Sequence, residues 1–175
     1  ACVELGGKDS LIVCDDADMD RATQAANFGS FMHQGQICMS VEKVLVQDRI
    51  FEPFVQRFVE RAAKLKMGDP THDPSCVIGP LINDAAGERY EGAVAEARSV
   101  GRIVTGGERL TGGIFDRGNY VRPTVVEAPS SSWLWRKEIF VPFVVVEPYD
   151  DLGDAIGRAN DTEFGLSSGI CTTSL

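Results

Sequence analysis

Residues 42–46 pass from the charged pair Glu42-Lys43 into the apolar run Val44-Leu45-Val46 and read as a strand. A few positions later Phe51, Phe54, Val55, Phe58, Val59 and Ala62 form a helical stripe. The first pattern is a short valine-rich run of strand length, and the second has the i, i+3, i+4, i+7 spacing of an amphipathic helix. The same handover recurs along the chain. Residues 11–14 read as a short buried strand, and Met19, Ala22, Ala26 and Gly29 place a helix over residues 17–32. A helix opened by Asn83 or Asp84 turns Ala86, Tyr90, Ala93, Val94 and Ala97 inward and leads to a strand at 102–105. Short strands at 120–121 and 124–126 flank Pro123, a buried strand follows at 143–146, then a capped helix at 151–160 and a last strand at 165–171. Strands alternating with helices predict an α/β domain around a mostly parallel sheet.

Local chemistry sets several boundaries. Asp15, Asp16 and Asp18 form an acidic cluster whose ordinary reading is a cap and first-turn charge for the helix that follows. A divalent metal is the sharper alternative there, but no His stands nearby to join the acids. Asp48 is expected to cap the helix of the aromatic stripe, with Pro53 tolerated in its first turn. Residues 68–82, with three prolines and two glycines, read as a long ordered loop. Residues 106–118 are glycine-rich but hold neither G-x-G-x-x-G nor G-K-[ST], which argues against a phosphate cradle.

Composition narrows the function. A chain of 175 residues fits one domain with a sizeable core. A net charge of -9 speaks against nucleic acid or an anionic membrane as the main partner. No apolar run reaches the ~20 residues of a membrane span. The first residues lack the basic and apolar regions of a signal peptide, and without an initiator Met the chain reads as a piece of a longer one. Five cysteines, at 2, 14, 38, 76 and 171, are odd in number and show no CxxC spacing. That disfavours a disulfide framework and a zinc site, and points to a reducing, cytoplasmic setting.

Cys14 and Cys171 sit in apolar, strand-like runs and read as small core residues. Cys38 differs: it follows the turn Gly35-Gln36, in the context Phe31-Met-His-Gln-Gly-Gln-Ile-Cys-Met-Ser40. Paired with Glu4, it suggests covalent catalysis, with a thiolate attacking a carbonyl and a carboxylate later activating water. Glu4 alone would read as a surface carboxylate. His33 invites a Cys/His dyad, but five residues on a turning segment do not face each other reliably, so a polar helix end is the preferred reading.

The segments Glu4-Leu5-Gly6-Gly7-Lys8 and Gly35-Gln36-Ile37-Cys38 resemble those of the aldehyde dehydrogenase superfamily. Gly79-Pro80, Pro123-Thr124, Glu138-Ile139-Phe140, Ala159-Asn160-Asp161 and Gly165-Leu166 follow in the family's order. The resemblance implies a three-layer catalytic domain over residues 1–175, with the dinucleotide-binding and oligomerisation parts outside these residues. It implies Cys38 as nucleophile and Glu4 as general base, with Glu138, Phe140 and Leu5 contacting NAD or NADP, and no metal. A full-length homo-oligomer acting on an aldehyde follows from the same resemblance, and the context of Cys38 is similar to members that oxidise aromatic aldehydes. Gly6 and Gly7 would let the carboxylate swing, or simply make a tight turn. One departure stands out. The family usually has Glu-Ile-Phe-Gly-Pro-Val where this chain has Val141 and Phe143, so a left-handed backbone at 141 would force a different loop. Two other readings remain open: a thiol esterase-like scaffold without redox turnover, and a non-catalytic interaction module. The isolated chain is expected not to turn over aldehyde without a complementary domain.

Overall fold

The computed structural model describes residues 1–174. It contains six strands: β1 (Asp9–Val13), β2 (Val41–Gln47), β3 (Arg102–Thr105), β4 (Thr124–Glu127), β5 (Phe143–Tyr149) and β6 (Ser168–Cys171). Four α-helices accompany them: α1 (Met19–Phe31), α2 (Phe51–Ala63), α3 (Asp84–Val100) and α4 (Leu152–Asn160). The strands form one sheet in the order β3-β4-β5-β2-β1-β6. All neighbours run parallel except the edge pair β3–β4.

Both faces of the sheet are covered, which is why its central strands are rich in valine on both sides rather than alternating with polar residues. Leu11, Val13, Val44, Val46, Val125, Val144 and Val146 pack against α1 and α2. On the opposite face, Ile12, Leu45, Val126 and Val145 pack against Tyr90, Ala93 and Ala97 of α3 and Ala155 of α4. The expected α/β domain with a mostly parallel sheet is therefore present as three layers.

The aromatic stripe lies where its period put it. Phe51, Phe54, Val55, Phe58 and Ala62 are buried, and Phe58 stacks on Phe31 of α1 at 5.8 Å. Asp18 caps α1 by accepting from the Arg21 N–H at 3.0 Å. Asn83 caps α3 through Ala86 N–H at 2.9 Å, and Asp151 caps α4 through Asp154 N–H at 2.9 Å. Asp48 is not a cap. A short 3-10 turn at Asp48–Ile50 separates strand from helix, so Ile50 holds the capping position of α2 and makes no side-chain bond. Residues 120–121 make only an isolated bridge, Arg109 with Val121, because Pro123 interrupts the run before β4. The last strand starts at Ser168 rather than 165.

Asp16 joins the two ends of the described chain: its carboxylate accepts from Thr172 Oγ1 at 2.9 Å and from the N–H groups of Thr173 and Ser174 at 3.0 and 2.9 Å. A bond from Thr173 Oγ1 at 2.9 Å, and then the others, hold its carboxyl below the usual range. The acidic cluster is thus accounted for by caps and local bonds.

Candidate active site

Three neighbouring parallel strands carry the site. β1 begins at Asp9, β2 at Val41 and β5 at Phe143, and they lie side by side in the order β5-β2-β1. Glu4 precedes the first, Cys38 the second, and Glu138 and Phe140 the third. Parallel strands start at the same edge, so the topology brings these segments to one side of the sheet. There Glu4, Leu5 and Cys38 line a cleft of about 410 Å³ together with Glu138 and Phe140. Glu4, Leu5 and Cys38 are exposed; Glu138 and Phe140 are half-buried.

Close backbone approaches fix the cleft. Gly7 passes so near the Cys38 carbonyl that an added Cβ would lie 2.1 Å from its oxygen. That approach requires a glycine at position 7, and neither Gly6 nor Gly7 takes a left-handed backbone. Gly7 N–H donates to Glu138 Oε1 at 2.9 Å, which ties the segment of Glu4 to the loop of Glu138. On the other side His33, Gln34 and Gly35 run through left-handed conformations, with φ of 50, 58 and 64°. Two consecutive non-glycine residues there are unusual and need support from their surroundings. Gln34 supplies it by bridging the His33 carbonyl and the Gly79 N–H, at 2.7 and 2.8 Å. A Cβ on Gly35 would stand 2.4 Å from the Val141 carbonyl oxygen.

Val141 does not disturb the loop. The left-handed residue is Phe140, at φ 58°, while Val141 is buried among apolar neighbours. Beneath the cleft sits a buried polar knot. Lys8 Nζ donates to Glu42 Oε2 at 2.6 Å, with both side chains almost fully buried. Lys43, fully buried, donates to the Ala159 carbonyl at 2.8 Å. Burial, and then the neighbouring Lys8 charge, lower its pKa from 10.5 to about 8.

His33 and Cys38 do not form a dyad. His33 faces a different cavity, of about 600 Å³, between α1, α2 and the 68–82 loop. Cys14 and Cys171 are only partly buried. Tyr149 OH lies 3.5 Å from Cys14 Sγ. Arg89, on the exposed face of α3, lines the Cys38 cleft and gives it a cation. Its Nε donates to the Ile139 carbonyl at 3.1 Å. Nothing in the sequence around Arg89 marks it, because it is one of several charged residues on a solvated helix face. The Cys38 N–H donates no hydrogen bond to backbone or side chain among the described residues. No group of three His, Cys, Asp or Glu among the described residues is placed to hold a metal. No helix among them is long and apolar enough to cross a membrane.

Comparison with known proteins places the chain. The model of the aldehyde dehydrogenase family matches residues 1–175, and the chain belongs to that family. It is 41% identical over 170 residues to a salicylaldehyde dehydrogenase of Pseudomonas sp. strain C18, covering 96% of this chain and 34% of that protein. Among solved structures it resembles lactaldehyde dehydrogenase from Escherichia coli, with a TM-score of 0.94, 38% identity and coverage of 99% of this chain and 36% of that one. It also resembles betaine aldehyde dehydrogenase from Staphylococcus aureus in complex with NAD+, with a TM-score of 0.93, 32% identity and coverage of 98% and 34%. The chain thus spans about a third of the length of the relatives it matches.

Proposed function

We propose that these residues form the catalytic domain of an NAD(P)-dependent aldehyde dehydrogenase that oxidises an aldehyde to a carboxylic acid. The observation that carries the reading is the shared cleft, which brings the Cys38 thiol and the Glu4 carboxylate together with Glu138 and Phe140.

The residues present fit a nicotinamide dinucleotide. Glu138 gives one carboxylate oxygen to Gly7 and keeps Oε2 without a hydrogen-bonding partner among the described residues, free to accept from a ribose diol. The Phe140 ring offers a flat apolar edge, and Leu5, 59% exposed, offers a second apolar surface. When bound, the nicotinamide supplies the hydride acceptor. The part of the protein that holds the rest of the dinucleotide is proposed to lie outside these residues.

In this reading Cys38 reacts as the thiolate, its sulfur adding to the aldehyde carbon to give a thiohemiacetal. The unused Cys38 N–H is positioned to donate to the developing oxyanion, where a fixed donor is worth most. Loss of hydride from that carbon leaves a thioester on Cys38. Glu4 takes a proton from a water molecule as that water attacks the thioester, the acid departs, and the thiolate returns. An exposed carboxylate at the mouth of the cleft has access to water for this step. The salicylaldehyde relative favours an aromatic aldehyde, and other relatives are named for lactaldehyde and betaine aldehyde. A cytoplasmic homo-oligomer is the proposed setting.

The test is a pre-steady-state assay of the full chain that contains these residues, with an aldehyde and NAD or NADP. Glu4→Gln is expected to release one equivalent of reduced dinucleotide per site and then stall at the thioester. Steady turnover in that variant, or steady NADH production by the isolated 175-residue chain, contradicts the proposal.

A further inference from the structure

We infer that Glu42 is a positioning residue, which sets the loop of Glu138 and Phe140 by gripping its backbone N–H groups from below. The inference rests on the functional reading above and deepens it. Glu42 lies on β2, just after Cys38 in sequence, and its carboxylate is buried at 3% exposure. Oε1 accepts from Phe140 N–H at 2.8 Å and from Ile139 N–H at 3.1 Å; Oε2 accepts from Ile139 N–H at 2.9 Å and from Lys8 Nζ at 2.6 Å. One side chain therefore ties together all three segments that line the cleft: residues 4–8 through Lys8, the Cys38 segment through its own strand, and 138–140 through two backbone donors.

The loop needs such a grip. β5 starts only at Phe143, so Ile139 and Phe140 N–H have no partner in the sheet. A buried N–H must find an acceptor somewhere. Phe140 also holds a left-handed backbone that a residue with a Cβ adopts only when its surroundings require it. On the other side of the same peptide, Arg89 Nε holds the Ile139 carbonyl at 3.1 Å. The Glu138 carboxylate and the Phe140 ring project from a segment held from both sides. The charge of the pair is not explained by stability, because a buried ion pair gains little over an apolar pair of similar volume. A carboxylate can accept from several donors at once, and that capacity is what the loop uses.

Two double variants isolate the acceptor. Lys8→Met/Glu42→Gln and Lys8→Met/Glu42→Met remove both charges and conserve volume; only the first keeps an oxygen facing Ile139 and Phe140. Both are made in the full chain and compared by amide hydrogen exchange and by steady-state kinetics. Relative to the Gln pair, the Met pair is expected to exchange the Ile139 and Phe140 amides about tenfold faster. Its KM for the dinucleotide should rise about tenfold as well, with the KM for aldehyde and the labelling rate of Cys38 unchanged. A merely structural role would instead lower the apparent kcat with the folded fraction, leave both KM values unchanged and speed exchange across the whole chain. Equal exchange and equal KM in the two variants overturn the inference. Should either uncharged pair fail to fold, Glu42→Asp serves instead: it keeps the charge but falls short of the loop, and an unchanged dinucleotide KM would count against the role. If the full chain oxidises no aldehyde, the functional reading fails, and the exchange measurement still decides whether Glu42 grips the loop.

Discussion

The two ends of β2 live in different worlds. Val44 and Val46 press into the apolar layer beneath α1 and α2, among Phe31, Phe54 and Phe58. A few residues earlier, at the start of the same strand, Glu42 and Lys43 are equally buried but surrounded by Lys8, by the loop of Glu138 and by the Ala159 carbonyl. One end is held by packing, where shape and volume matter. The other is held by directed bonds, where each buried charge needs a particular partner. The candidate site sits on the polar end, and the difference teaches that its geometry is set by hydrogen bonds rather than by core packing. Substitutions at the two ends should therefore separate activity from stability.

The sharpest separation is at Cys38. Its side chain is exposed, so Cys38→Ala should leave the melting temperature unchanged. The same change should lower kcat by about 10⁴-fold or more, as removal of a nucleophile does elsewhere. Residual turnover within tenfold of the parent would remove Cys38 from the proposed role.

Next comes the apolar end. Phe58 is fully buried, stacked on Phe31 and tilted against Phe54 at 5.9 Å. Phe58→Ala should cost about 3–5 kcal/mol of unfolding free energy. In whatever fraction remains folded, Cys38 should be labelled by a thiol reagent at the parent rate. A denaturation curve and a labelling time course check both halves.

The polar end should answer to pH. Burial lowers the Lys43 pKa from 10.5 to about 8, and burial lowers that of Lys8 as well. Between those two values the unfolded chain binds the extra proton, so stability should rise with pH. From pH 7 to 9 the expected gain is about 1 kcal/mol from Lys43 alone. Above that window burial of Cys171 and Tyr90 works the other way, since their folded pKa values lie above 9.0 and 10.0. Lys43→Met should flatten the rise; a slope that survives the substitution would assign it to another group.

The same contrast explains what could be read from residues alone. The stripe on α2, the inward face of α3 and the buried runs of β1 and β5 were legible because periodicity and burial are local properties. Glu4 and Cys38 were legible as a pair only through the types of residue and the family resemblance. That they converge follows from β1, β2 and β5 being adjacent and parallel, which no local pattern states. Arg89 and Glu42 were not legible. Each reads as one more charge on a helix or strand until the loop of residues 138–140 is laid against it. The worry over Val141 failed for a similar reason: the left-handed position is one residue earlier, at Phe140, where buried hydrogen bonds sustain it.

The smallest effect concerns a boundary that residue type misjudged. Asp48 has the chemistry of a cap and stands just ahead of the aromatic helix, yet a 3-10 turn moves the start of α2 beyond its reach. Asn83, of similar chemistry, stands at the right position and accepts from Ala86 N–H at 2.9 Å. Asn83→Ala should cost about 1 kcal/mol, the usual value of a lost cap. Asp48→Ala, which breaks no cap, should stay within about 0.5 kcal/mol of the parent. Equal losses would mean that Asp48 reaches the first turn of α2 after all, and that the turn between β2 and α2 is tighter than the structure has it. The contrast is small, but it separates two residues that look alike in sequence by the one thing that sequence leaves open: where the backbone begins to coil.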